Sequence, residues 1–173
     1  LELSLNSQFN EFEWMFGASA QSQADDRKRF QNNEGVKGEM AMDQLESFDS
    51  YGMFALGSLN KPKYSLQTGV RFDVHQISMD DNFGLDQQYV DYSSRLSAYS
   101  PNIGFIYNLN KNDELYANYG SSYETPSLSE LSANPDGSGF NNQLSPMVSN
   151  GFDIGYRKST RRFSYSLTAF HID

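Results

Sequence analysis

The run Glu114-Leu115-Tyr116-Ala117-Asn118-Tyr119-Gly120-Ser121-Ser122-Tyr123-Glu124 sorts its side chains by parity. Leu115, Ala117, Tyr119 and Tyr123 fall on one face of an extended chain, and Asn118, Gly120, Ser122 and Glu124, with Tyr116, fall on the other. A period of two marks a strand with one apolar and one wet side. Arg162 to His171 repeats the scheme, setting Phe163, Tyr165, Leu167 and Ala169 against Arg162, Ser164, Ser166 and Thr168. Pro101 to Leu109 does so again, with Pro101, Ile103, Phe105, Tyr107 and Leu109 against Asn102, Gly104 and Asn108. Soluble sandwiches alternate too, so length discriminates better. An ordinary soluble strand runs about five or six residues, and a tilted bilayer-crossing strand roughly nine to eleven.

The same pattern predicts about eight strands, near Leu3–Phe9, Glu13–Gln23, Ser50–Asn60, Tyr64–Ser78, Arg95–Leu109, Glu114–Glu124, Val148–Lys158 and Arg162–Ile172. Short connections rich in turn residues, Asn10–Phe12, Asn60–Lys63, Asn110–Asp113 and Ser159–Arg161, alternate with the long ones Ala24–Asp49, Met79–Ser94 and Thr125–Met147. Such long loops exceed the roughly 12 to 15 residues usual in a compact soluble domain. In outer-membrane barrels, short turns face the periplasm and long loops face outside. The expected fold is therefore all-β, an antiparallel up-and-down meander belonging to a transmembrane β-barrel.

Composition fits that reading. The 173 residues carry 13 basic and 22 acidic side chains, a formal charge of −9, which argues against nucleic acid as a partner. Aromatic residues make up 14%, with 11 Tyr and 13 Phe but 1 Trp, as sheets and barrel girdles favour. A mean hydropathy of −0.65 rules out transmembrane helices but not a barrel, which turns half of each strand toward a polar lumen. No stretch at Leu1 has the basic and then apolar regions of a signal peptide, so the chain reads as mature, truncated or excised. Cysteine is absent, which removes disulfides and thiolate chemistry together.

Little in the sequence supports catalysis or a bound cofactor. His75 and His171 are the two histidines, each inside a strand, and read as wall or girdle side chains rather than metal ligands. Asn134-Pro135-Asp136-Gly137-Ser138-Gly139 resembles the start of a calcium loop, but Ser145 stands where the twelfth-position Glu belongs, so it reads as a loop tip. Glu39-Met40-Ala41-Met42-Asp43 sets thioethers beside carboxylates, a soft Cu(I) donor set that also packs ordinary loops. Asp25-Asp26-Arg27-Lys28-Arg29 opens the first long connection, where its basic triplet could attract an anionic chelate or lipopolysaccharide phosphates. No nucleophile elbow, phosphate-cradling loop or dinucleotide fingerprint occurs.

From Arg95 onward the residues resemble a known family. Ser100-Pro101-Asn102-Ile103-Gly104-Phe105-Ile106-Tyr107, Glu114-Leu115-Tyr116-Ala117-Asn118-Tyr119, Ser122-Tyr123-Glu124-Thr125-Pro126-Ser127-Leu128-Ser129-Glu130-Leu131, and Leu144-Ser145-Pro146 through Gly155-Tyr156-Arg157 follow one another in the order of successive strands in TonB-dependent outer-membrane receptors. Pro101, Gly104, Tyr107, Pro126, Glu130, Leu131, Pro146 and Gly155 carry the motifs. Leu66 to Asp73 is similar to a further strand of the type that ends Gly-x-Arg-Tyr-Asp. Met147 departs from the pattern, standing where the family usually has Glu.

The resemblance implies a segment of a 22-stranded barrel wall, with the plug domain, the TonB-contacting box and the last barrel strands lying outside the chain. It further implies an outer-membrane active transporter of Gram-negative cells, importing a ferric siderophore or similar metal chelate or nutrient and energised by TonB through the plug. Outer-membrane lipid and the chelate are the expected partners, and the isolated segment is expected to self-associate through its open strand edges. Substrate contacts are expected from the long connections, with Arg29, Tyr89 and Phe140 as candidates. A passive porin-like barrel and a soluble all-β binding module are the alternative readings.

Overall fold

The computed structural model describes residues 1–83, 92–132, 141 and 143–173. Eight strands follow one another in chain order: β1 (Glu2–Phe9), β2 (Phe12–Asn33), β3 (Val36–Asn60), β4 (Tyr64–Asp81), β5 (Tyr92–Asn108), β6 (Asp113–Glu124), β7 (Met147–Ser159) and β8 (Ser164–Ile172). A one-turn helix, α1 (Leu128–Ser132), lies between β6 and β7. The strands form one open antiparallel sheet in the order β1-β2-β3-β4-β5-β6-β7-β8. All eight predicted strands are present. No described helix is long and apolar enough to cross a membrane.

The register gives each face a consistent chemistry, because residues paired across strands share a face. The outer face carries Leu3 and Leu5 of β1, Phe12, Trp14 and Phe16 of β2, Met53 of β3, Val70 and Phe72 of β4, Ile103 and Phe105 of β5, and Ile154 and Leu167 of β7 and β8. All are substantially exposed. On β2 the apolar stretch runs from Phe12 to Ala20, about the nine residues that a tilted crossing strand requires. Aromatic residues bound this band: Tyr51, Tyr99 and Tyr119 above, and Phe12, Trp14, Tyr64, Tyr107, Tyr156 and Tyr165 near the short turns. The inner face is polar over the same height, with Ser4, Asn6 and Gln8 of β1, Ser19, Gln21 and Gln23 of β2, and Asn102, Asn118 and Asp153 further along. Met15, Phe54, Leu56, Ile106, Phe170 and Ile172 are apolar exceptions to it.

Glycines make room for large rings between strands. A Cβ at Gly155 would come 2.4 Å from the Tyr116 ring and 2.7 Å from the Leu167 carbonyl oxygen, and one at Gly17 would come 2.2 Å from the ring of Phe54. Tyr116 is fixed in its seat by Arg157, whose guanidinium lies 5.2 Å from the ring centroid, and by a 2.5 Å hydrogen bond to Thr168.

One expectation is corrected. Ala24–Asp49 is not a loop, because β2 and β3 continue as a paired hairpin to a tight turn at Glu34 and Gly35. At about 3.3 Å per residue the 22 residues of β2 span roughly 70 Å, far more than the bilayer needs. Two features sustain the extension. Both turn residues have positive φ, 52° at Glu34 and 90° at Gly35, the geometry that matches strand twist in two-residue hairpins, and the Gly35 N–H donates to Asn32 Oδ1. Cross-strand ion pairs, Arg27 with Glu46 and Lys28 with Asp43, then tie the two strands. The connection expected at Met79–Ser94 is shorter at both ends, since β4 runs to Asp81 and β5 starts at Tyr92, whereas the one expected at Thr125–Met147 begins where β6 ends, after Glu124.

Two substitutions test this packing. Gly155→Ala is expected to lower stability by about 1 to 3 kcal/mol through its clash with Tyr116, and Tyr116→Ala is expected to restore part of that loss, read by denaturant unfolding in detergent. Gly35→Val should weaken the hairpin tip by about 1 kcal/mol or more, detected as faster amide exchange confined to residues near the turn.

Candidate functional site

At the long-loop end, the inner face changes character. Phe48 of β3, Ile77 and Met79 of β4, and Tyr92 and Leu96 of β5 place apolar groups where the lower inner face is polar. The segment after β6 folds down onto them: Leu131 of α1 is fully buried against Ile77 and Leu96, with Leu128 and Leu144 beside it. Among the described residues this is the buried apolar cluster of the sheet.

The segment that delivers Leu131 is built by a capping box. Glu130 accepts hydrogen bonds from the Ser127 backbone N–H at 2.8 Å and from the Ser127 hydroxyl at 2.9 Å, while the Glu130 N–H donates back to Ser127 Oγ at 3.3 Å. These donors hold the Glu130 carboxyl below its ordinary pKa. The motif Pro126-Ser127-Leu128-Ser129-Glu130-Leu131 thus has a physical reading: a stop, a cap, and two apolar anchors on one turn. Pro126 lines the cavities on either side.

Below the anchor lies a charged network that spans three strands. The Arg71 guanidinium donates to both carboxylate oxygens of Asp73, which is almost completely buried, and at 2.9 Å to Ser19 Oγ on β2. It crosses β3 over Gly52, where a Cβ would lie 2.2 Å from the guanidinium and 2.4 Å from Asp73. Fork-shaped pairing of this kind fixes geometry as well as charge. His75, one step along β4 on the same face, is 7% exposed, stacks on Phe48 and shares a 2.9 Å hydrogen bond between Nε2 and the Tyr123 hydroxyl. Its Nδ1 is buried without a partner among the described residues.

Tyr123 departs from its expected face. By parity it belongs with Leu115, Ala117 and Tyr119, but it reaches the inner face. The β5–β6 ladder ends at Asn102 and Gly120, and beyond that point β6 is paired only with β7. Gly120 lies directly opposite Gly151 at the point of departure. Freed from β5, the outer end of β6 carries Tyr123 to His75. His75 is accordingly an inner-face docking group rather than a girdle residue, and His171 is an exposed outer-face residue of β8.

Two cavities flank this arrangement. One of about 500 Å³ is lined by Glu2, Ser19, Gln21, Ser50 and Arg71, and one of about 330 Å³ by Gln23, Asp25, Glu46, Phe48, Pro126 and Leu128. Glu46 is buried, accepting from Arg27 at 2.5 Å and from Gln44. Serine, glutamine and carboxylate groups beside two aromatic or apolar walls form a surface suited to a polar small molecule.

Of the expected contact residues, Arg29 is exposed on β2 opposite Met42, on the inner-face parity, and makes no ion pair among the described residues. Tyr89 and Phe140 lie outside the described residues, as does Asn134–Gly139. Arg27 and Lys28 are engaged by Glu46, Asp26 and Asp43, and the hydrogen bond that Lys28 donates to Asp26 raises the Lys28 pKa. Met40 and Met42 are half-buried on β3, and the described residues contain no cluster of three or more His, Cys, Asp or Glu placed to hold a metal. Pro101, Gly104 and Tyr107 lie on β5, Gly155 on β7, and Pro146 just before β7. Met147 begins β7, is well exposed, and shares a cavity wall with Glu124 and Glu130.

The whole chain, residues 1–173, matches the family described as TonB dependent receptor-like, beta-barrel. The chain belongs to the TonB-dependent receptor β-barrel family. Solved structures agree on the fold. The siderophore receptor PiuA from Acinetobacter baumannii aligns with a TM-score of 0.72 at 14% identity, covering 98% of this chain and 30% of that one. The ferric citrate transporter FecA in its unliganded form gives 0.72 at 14%, covering 99% and 26%. The copper transporter OprC gives 0.71 at 16%, covering 98% and 28%. This chain therefore spans under a third of the receptor chains it matches. No curated protein matches the sequence. The open eight-stranded sheet is a portion of a TonB-dependent receptor barrel wall, and such relatives are transport receptors rather than enzymes.

The docked segment makes a pH prediction. Glu130, with its depressed pKa, stabilises the capped turn fully above the ordinary carboxylate range, and that contribution is lost as pH falls through the lowered value. Protease cleavage in 125–146 is expected to accelerate on acidification, and Glu130→Gln, which keeps a capping side chain without a titrating group, should flatten this pH dependence. Leu131→Ala should release the segment at all pH values, at a cost of about 2 to 5 kcal/mol.

Proposed function

We propose that the chain is a wall segment of a 22-stranded outer-membrane active transporter. On this reading the transporter belongs to a Gram-negative cell, imports a ferric siderophore or similar metal chelate, and is energised by TonB through a plug domain outside this chain. The single observation that carries the reading is the outer apolar band of about nine residues, bounded by aromatic girdles and backed by a polar inner face, in a chain matched over its whole length by the receptor family. A soluble binding module has no use for such a band, since it would expose Phe16, Met53, Phe72 and Leu167 to water together.

The segment supplies wall and loops, with no catalytic role and no resident cofactor. Substrate contacts belong at the long-loop end of the inner face, to Arg29 and the polar groups around Arg71 and Glu46, with Tyr89 and Phe140 as further candidates from the sequence. The relatives named for siderophore, ferric citrate and copper support a metal chelate as the substrate class.

Disrupting the gene and measuring uptake of radiolabelled ferric citrate, ferric hydroxamate and ferric catecholate under iron limitation tests the proposal. Loss of uptake of at least one chelate, reproduced by deleting TonB, is the expected result. Uptake that survives loss of TonB would favour a passive porin, and unchanged uptake and copper accumulation would remove the metal-chelate assignment. Arg29→Ala should raise the half-saturation concentration for an anionic chelate by roughly fivefold, as expected for an exposed charge contact worth up to about 1 kcal/mol.

A further inference from the structure

The charges of this acidic chain are unevenly distributed. The short-turn rim, comprising the β1–β2, β3–β4, β5–β6 and β7–β8 turns with the adjoining strand ends, holds seven basic side chains, Lys61, Lys63, Lys111, Arg157, Lys158, Arg161 and Arg162. Four acidic ones accompany them, Glu11, Glu13, Asp113 and Glu114, so the rim has a surplus of three positive charges while the chain as a whole is −9.

Internal pairing does not consume this surplus. Lys61 pairs with Glu11, Lys158 with Asp113 at 2.9 Å, and Arg157 with Glu114 at 2.7 Å, while Glu13 accepts a hydrogen bond from Ser58. The rim carboxylates are thus engaged. Lys63, Lys111, Arg161 and Arg162 make no ion pair among the described residues, and all four are exposed. They occupy three successive short turns, so the free cations recur along the rim.

Immediately above these turns on the outer face runs the lower aromatic girdle. Tyr64 packs against Phe105 at 6.2 Å between ring centroids, Tyr156 against Tyr165 at 6.0 Å, and Phe163 stacks on Tyr165 at 6.2 Å. Aromatic rings of this kind sit at headgroup level, and long cationic side chains beside them extend toward the phosphate layer. We infer that the short-turn rim, through Lys63, Lys111, Arg161 and Arg162, docks the phosphate headgroups of anionic phospholipids in the leaflet it faces. The inference rests on the membrane-barrel reading above. Phosphate is the partner of choice for free guanidinium and ammonium groups, and an anionic surface attracts each added Lys or Arg.

The test uses the receptor carrying this chain, extracted from outer membranes in detergent. Short-chain phosphatidylglycerol, short-chain phosphatidylcholine and inorganic phosphate are titrated separately, and bound lipid is counted by native mass spectrometry. Phosphatidylglycerol is expected to bind more tightly than phosphatidylcholine. The combined variant Lys63→Gln, Lys111→Gln, Arg161→Gln, Arg162→Gln should weaken phosphatidylglycerol by about tenfold or more and leave phosphatidylcholine nearly unchanged. If that variant fails to assemble, judged by heat-modifiable migration, Arg161→Gln with Arg162→Gln replaces it and should give a smaller loss in the same direction. Equal binding of the two lipids, indifference to the substitutions, or displacement of phosphatidylglycerol by inorganic phosphate at equal concentration would overturn the inference. Absence of the protein from the outer-membrane fraction would instead overturn the barrel reading itself.

Discussion

Backbone hydrogen bonding between neighbouring strands is the constraint from which the rest follows. In hydrocarbon an unpaired N–H or carbonyl costs several kcal/mol, so a crossing segment of this kind must pair along its whole length with the strands beside it. The ladders between β1 and β8 supply that pairing at every strand junction and leave one open edge on each of β1 and β8, and they impose an alternation of side chains. Once alternation is fixed, lipid claims one parity and the polar interior the other. The glycine seats are a consequence: where a ring on one strand must lie across its neighbour, as Tyr116 does over Gly155, the neighbour gives up its side chain.

This is why so much of the fold was legible. Parity arguments over Pro101–Leu109, Glu114–Glu124 and Arg162–His171 predict strand, face and neighbour together, because a one-residue slip would invert every side chain. The same argument fails where lipid no longer enforces it. Ala24–Asp49 reads as a loop because its many charged and amide residues break the apolar alternation, yet strands beyond the apolar band can be held by ion pairs and a well-formed turn, as Arg27, Glu46 and Gly35 do here. Turn chemistry at Glu34-Gly35 was the available signal. Tyr123 was misplaced for a related reason, since parity predicts a face only while the ladder persists.

The candidate site was less legible because it depends on contacts between distant segments. Leu131 carried a motif, but its burial against Ile77 and Leu96 requires knowing that two strands more than thirty residues upstream turn apolar groups inward at their outer ends. The hint was present: Phe48, Ile77 and Leu96 gather apolar groups at the outer ends of three neighbouring strands on the inner parity. Arg71 and Asp73, two residues apart on one face, likewise announced a pair, whereas the path over Gly52 to Ser19 could not be read from spacing. The site thus combines an apolar anchor, non-directional and tolerant of small shifts, with a charged network that is geometrically exacting.

The parting of β6 from β5 divides the wall mechanically. Below Gly120 the backbone of β6 is paired on both sides; above it, the backbone of β6 is paired with β7 alone. Gly120 and Gly151, side by side without Cβ atoms, form a crease whose backbone torsions are cheap to change. Beyond that crease the Tyr123–His75 hydrogen bond and the buried Leu131 stand in for the missing ladder, so side chains rather than backbone join the outer end of β6 to the rest of the wall.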